Sequence, residues 1–161
     1  MKTDIVLRIV RSFFTNAHKR GTSRCLNVKL HRQWTPYSCT AAVAQMVAGY
    51  YGTNISHRKA IALTKCNPDG ASLAHVAKVL RREYKLKTKT LRTRASVRAA
   101  LKRGEPVITT ENVSYENDHA VLLVGETPKG YWIADPAVCE VYWRHEDQVK
   151  AGASEFIAVA A

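Results

Sequence analysis

The sequence holds no apolar run long enough to cross a bilayer. Arg8 and Arg11 interrupt the apolar residues near its start, so no secretory signal peptide is expected. The expected location is cytoplasmic, or another cell or compartment reached without such a signal. No internal repeat and no low-complexity linker is present, which excludes a repeat array. Cysteine is sparse and scattered. Cys25, Cys39, Cys66 and Cys139 show no C-x-x-C spacing, which excludes the usual zinc frameworks and leaves nothing like a disulfide scaffold. Neither a metal nor a cofactor is expected. Acidic residues are also few, 13 against 25 lysines and arginines.

What remains is one soluble domain. A chain of 161 residues, 46% of them apolar, is large enough to bury its own core. Its net charge of +12 is unevenly spread. Residues 1–32 carry +7, residues 33–77 carry +2, residues 78–104 carry +10 and residues 105–161 carry −7. The belt over 78–103 gathers Lys78, Arg81, Arg82, Lys85, Lys87, Lys89, Arg92, Arg94, Arg98, Lys102 and Arg103 against Glu83. Such a belt would attract an anionic partner, whether nucleic acid, an acidic protein or a membrane surface. The plainer expectation is a solvated face, since no base-reading motif accompanies it and few aromatics are interleaved.

Along the chain, Ile5, Val6, Ile9, Val10, Phe13 and Phe14 recur at near-helical spacing, with Arg8, Arg11, Lys19 and Arg20 elsewhere. The spacing predicts a basic amphipathic helix over 1–20 whose apolar face packs on the domain. Residues 1–32 read as a basic extension and 33–161 as the domain. Thr35 precedes a proline and should be extended or turned. Ser38 is placed to cap a helix from Cys39 to about Tyr51, ended at Gly52. A short helix follows over 55–65, then a turn at Asn67-Pro68-Asp69-Gly70. Ser72 caps a helix over 73–84, and Ser96 is expected to cap another over 97–103. Strands are expected over 85–90, 107–110, 119–125, 131–134, 140–143 and 156–159, with a short helix over 146–150. Helices first, then a mostly antiparallel sheet, is an α+β arrangement.

The stretch around Cys39 carries the chemistry. A thiol at the first turn of a buried helix is near positive backbone charge that favours its thiolate. A cysteine nucleophile also needs an imidazole nearby and a group that fixes that imidazole. His119 opens an apolar strand and Asp135 closes the next. Pairing of the two strands through the turn at 126–130 would bring them to the same end of a hairpin. The roles are then Cys39 as nucleophile, His119 as base and acid, Asp135 as its orienter, and Gln33 as an oxyanion donor. Each residue alone has a duller account: a packed thiol, a solvated histidine, a turn aspartate, a surface amide. Asp118 is the weaker orienter, because strand neighbours point to opposite faces. His31 and His57 are near Cys39 in sequence only. His75 reads as a packed residue, His145 lies in a polar turn, and Trp34 either lines the cleft or is structural.

QWTPYSCTAAVAQMVAGYYG (33–52), DGASLAHVAKVL (69–80), LKRGEPVI (101–108), DHAVLLVG (118–125) and YWIADP (131–136) occur in this order. Together they resemble the papain-like bacteriocin-processing peptidases, which cut after double-glycine leaders, and their stand-alone relatives. The resemblance implies a papain-like cysteine peptidase fold and thiol peptidase chemistry through an acyl-enzyme. It implies a peptide or protein substrate, with Gln33, Cys39, His119 and Asp135 in the roles above. One departure bears on the cleft: the family usually has glycine directly after the nucleophile, and here Thr40 stands there. The basic extension and belt lie outside the resemblance. They leave open a second expectation, a papain-fold effector, toxin or binding protein acting on an anionic partner. Transferases and deamidases also use this fold.

Overall fold

The computed structural model describes residues 25–114, 117–152 and 155–161. The helix expected over 1–20 lies outside them. Three helices come first: α1 (Cys39–Tyr50), α2 (His57–Thr64) and α3 (Leu73–Tyr84). There follow β1 (Lys87–Leu91), α4 (Arg94–Lys102), β2 (Val107–Ser114), β3 (Asn117–Thr127), β4 (Gly130–Asp135), β5 (Glu140–His145), α5 (Glu146–Gly152) and β6 (Phe156–Ala160). The strands form one sheet in the order β1-β6-β2-β3-β4-β5, each neighbouring pair antiparallel.

Helices cover both faces of this sheet, which explains the unbroken apolar run of β3. Ala120, Leu122 and Val124 join α1 and α3 in one core with Val43, Met46, Val47, Val76 and Leu80. Val121 and Leu123 point the other way, into a core with Val97, Leu101, Ile133 and Val149. Alternation along a strand sends neighbours to opposite faces, so a strand buried on both must be apolar throughout. Helix α1 is buried from Cys39 to Ala48. Its alanines let the sheet and α3 approach closely.

The helix ends follow local chemistry. Gly52, at φ 86°, closes α1: its N–H donates to the Gly49 carbonyl, and that of Thr53 to Ala48. Ser72 accepts from the His75 N–H and starts α3. Two caps differ from expectation. Helix α4 begins at Arg94 because Thr93 is its cap; Ser96 is the third residue of a reciprocal capping box. Ser38 precedes α1 but caps nothing in it. Its hydroxyl turns back and accepts from the N–H groups of Trp34 and Thr35, at 3.1 and 3.0 Å. It therefore orders the loop before α1.

Strand β2 runs four residues past its expected end at 110. Glu111 does not end it, because partners satisfy its charge inside the fold. The segment before the domain is held as well. The Leu26 N–H donates to the Val124 carbonyl, and Leu26, Val28 and Leu30 pack against the core that holds α1 and α3.

Candidate active site

Cys39 is the first residue of α1, where the helix leaves its leading N–H groups without intrahelical acceptors. It is buried. Burial by itself pushes its thiol up. Hydrogen bonding with the His119 ring, the N–H groups of Ala120 and Thr40, and the imidazolium charge outweigh that and hold it below its ordinary value.

His119 comes from β3. The pairing of Leu122 with Ala134 places Asp135 one step from His119 along the hairpin diagonal, on the same face of the sheet. The ring Nε2 lies 2.7 Å from Asp135 Oδ1. This leaves Nδ1 as the nitrogen for the Cys39 thiol. Burial pulls the His119 pKa down, but hydrogen bonds to Asp135 and Cys39 together push it up to about 9. Asp135 is held below the usual carboxylate range: burial opposes this, but hydrogen bonding to His119 and the Ala137 N–H prevails. That N–H lies 2.8 Å from Oδ1.

The structure thus brings together Cys39, His119 and Asp135. Gln33 sits on the adjoining loop. Its N–H donates to the Pro136 carbonyl at 2.9 Å, and Arg32 donates to the carbonyls of Ala137 and Val138. The loop is therefore tied to the turn that carries Asp135. The Gln33 side chain does not face an open acceptor site. Its Nε2 donates to the carbonyls of Thr35 and Pro36, at 3.0 and 3.2 Å.

Beside Cys39 lies a groove of about 450 Å³. Thr40, Thr110 and Ala120 line it with Cys39, as do residues 69–73, Asp118 and Glu155. Asp118 is therefore a groove residue, and the carboxylate bonded to the His119 ring is that of Asp135. Thr40, directly after Cys39, is buried, and its hydroxyl lies 2.8 Å from Cys66 Sγ. Trp34 is 64% exposed next to Gln33.

Three residues enter this neighbourhood that the sequence left without a role. His57, near Cys39 only in sequence by expectation, reaches the loop before it. Its Nε2 lies 3.4 Å from the Trp34 nitrogen and 3.3 Å from Ser38 Oγ, and its Nδ1 lies 3.1 Å from Gln45 Oε1. The Trp34 N–H donates to Nε2, so the ring hydrogen belongs on Nδ1. The other two, Glu111 and Tyr142, stand behind Asp135. A charged residue in a strand otherwise suited to burial was the signal for Glu111. Nothing in local sequence marked Tyr142, seven residues past Asp135 across a turn.

Comparisons with known proteins agree with this fold. A family model described as the peptidase C39 family matches residues 27–152. No curated protein sequence matches significantly. Among solved structures, the peptidase domain of Streptococcus ComA, a bifunctional ABC transporter involved in quorum sensing, superposes with a TM-score of 0.73 at 20% identity. That match covers 83% of this chain and 98% of the other. A C39-like peptidase from Bacillus anthracis gives 0.72 at 14% identity, over 88% of this chain and 98% of the other. A double-glycine-motif protease from an AMS/PCAT transporter, in complex with its leader peptide, gives 0.67 at 22% identity, covering 88% and 95%. The fold is thus the papain-like α+β fold of these domains.

Proposed function

Because the chain belongs to the peptidase C39 family and is a papain-like cysteine peptidase, we propose that it cleaves a peptide bond through an acyl-enzyme on Cys39. The observation that carries this reading is the hydrogen-bonded line from Cys39 through His119 to Asp135, with Asp135 2.7 Å from the ring.

In the resting site the proton sits on His119 and the charge on Cys39 Sγ. The thiolate attacks the carbonyl carbon of a peptide lying in the groove. Charge moves to the carbonyl oxygen, beside the N–H groups at the start of α1 that have no acceptor within the helix. Gln33 adds a second donor by giving up one of its two carbonyl partners. His119 then passes its proton to the departing amine, and the carbonyl remains on sulfur as a thioester. His119 next takes a proton from water, which attacks the thioester and releases the acid. Asp135 keeps the ring in one tautomer throughout. A peptide or protein is the substrate, as a leader peptide is bound by the AMS/PCAT relative.

Activity should follow a bell-shaped pH profile. On the acid side it is lost as Cys39 takes a proton, below the ordinary thiol value because its pKa is lowered. On the alkaline side it is lost near 9, where His119 gives its proton up. The test is cleavage of a mixed peptide library that includes double-glycine leaders, read by mass spectrometry. Wild-type protein should cut, and acid quenching should trap an acyl group on the peptide containing Cys39. Cys39→Ala should lose both signals with its circular dichroism unchanged. Equal cleavage by the two proteins would contradict the assignment.

The basic belt supports no second reading of comparable strength. Arg94 pairs with Glu146 and Asp147, Arg98 with Glu126 and Glu146, and Arg103 with Glu105. Part of its charge is thus neutralised within the fold.

A further inference from the structure

Behind the catalytic line lies a second set of acidic and phenolic groups. Tyr142 Oη is 3.0 Å from Asp135 Oδ2 and 2.9 Å from Glu111 Oε2. Both carboxylates are buried, Asp135 at 7% and Glu111 at 8% exposure. The sheet explains the meeting. Glu111 pairs directly with His119 across β2 and β3, and Tyr142 pairs with Ile133, two residues before Asp135 on the same face. A phenol carries one hydrogen, so it donates to one of the two carboxylates at a time. The other then faces a lone pair. Arg144 stands on the far side of Glu111, with Nε 3.6 Å from Oε1, and its guanidinium lies 5.1 Å from the centre of the Tyr142 ring.

We propose that Tyr142 and Glu111 are positioning residues of the peptidase site: Glu111 and Asp135 compete for the single phenolic hydrogen of Tyr142, and its division between them sets how strongly Asp135 holds the His119 proton. This rests on the reading of Cys39, His119 and Asp135 given above. With the hydrogen on Asp135, that carboxylate is partly neutralised and grips His119 less. With the hydrogen on Glu111, Asp135 carries its full charge toward the ring. A tyrosine between two carboxylates thereby tunes a base it does not touch. Among the described residues, the groups facing His119 are Cys39 on α1, Glu111 on β2, Asp135 on β4 and Tyr142 on β5. Arg144 lies behind Glu111, and Asp118 is on the opposite face of β3.

The two residues are distinguished by opposite signs. Tyr142→Phe takes the donor away from Asp135, so His119 should hold its proton to higher pH. Glu111→Gln removes the competitor and a negative charge, and it leaves the phenolic hydrogen to Asp135. His119 should then lose its proton at lower pH. The readout is the titration of the His119 ring Cε1–H resonance in the full chain, set beside the rate of Cys39 alkylation by iodoacetamide across pH. Each substitution should move the upper inflection by about one unit, upward for Y142F and downward for E111Q. Both variants nearly preserve shape, and thermal denaturation checks that they fold. General loosening of the site would move both in one direction. Shifts in the same direction, or no shift in either, overturn the proposal while leaving the peptidase reading in place. A wild type in which His119 titrates as an ordinary histidine, and Cys39 alkylates as an ordinary thiol, overturns both.

Discussion

Cys25 and Cys39 are both sheltered from water, yet their thiols are driven in opposite directions. Burial alone acts on Cys25 and pushes it up to about 11. Cys39 is more deeply buried, but an imidazole and two backbone N–H groups more than offset that. The difference is therefore one of partners, and partners come from remote parts of the chain. Local sequence marked Cys39, His119 and Asp135 because each sits at an element boundary beside an apolar run, and Gln33 because its amide stands just upstream of Cys39. It did not reveal that both Gln33 amide hydrogens would be occupied by Thr35 and Pro36, since that depends on how a proline loop turns. If Gln33 exchanges one of these bonds for the developing oxyanion, Gln33→Ala should lower kcat about 100- to 1000-fold with little change in KM. Steady-state kinetics on a cleaved library peptide give the answer. A kcat within twofold of wild type would reduce Gln33 to a loop tie.

At the level of elements, helices and strands were readable wherever turn chemistry bounded them. Asn67-Pro68-Asp69-Gly70 forms its turn with Gly70 at φ 81° and the Asp69 N–H on Asn67 Oδ1. Gly52 ends α1 in the expected place. What escaped local reading was satisfied charge and competing caps. Glu111 continues β2 because Tyr142 and Arg144 receive it. Thr93 displaces Ser96 as the cap of α4 because the two form one reciprocal box. The hairpin that carries Asp135 also depends on a close approach unseen in sequence. A Cβ on Gly130 would stand 2.0 Å from the Arg144 carbonyl oxygen and 2.8 Å from the Trp143 ring. Gly130→Ala must therefore push β5 away from β4. The expected cost is about 1–3 kcal/mol, a drop in Tm of roughly 2–12 °C for a domain of this size. An unchanged thermal midpoint would contradict the tight β4–β5 pairing.

Over the whole molecule, the contrast between a basic centre and an acidic C-terminal region is partly resolved by folding. Arg98 reaches Glu126 and Glu146, each at 2.8 Å, and also the carbonyl oxygens of Thr127 and Pro128. It fastens α4 to the β3–β4 turn and the start of α5. Sequence showed the two charged regions but could not pair them, because partners 28 and 48 residues apart leave no periodic trace. The active site has the same architecture. Cys39 belongs to the helices and His119 to the sheet, so the thiol meets the imidazole where the two layers meet. On the proposed reading this meeting, and not the cysteine itself, would create the nucleophile. The direct measurement is the pH dependence of Cys39 alkylation by iodoacetamide, followed by mass spectrometry in native and urea-unfolded protein. The native profile should reach half-maximum well below the ordinary thiol value, and the unfolded profile should return to about 8.5. Coincident native and unfolded profiles would contradict the account.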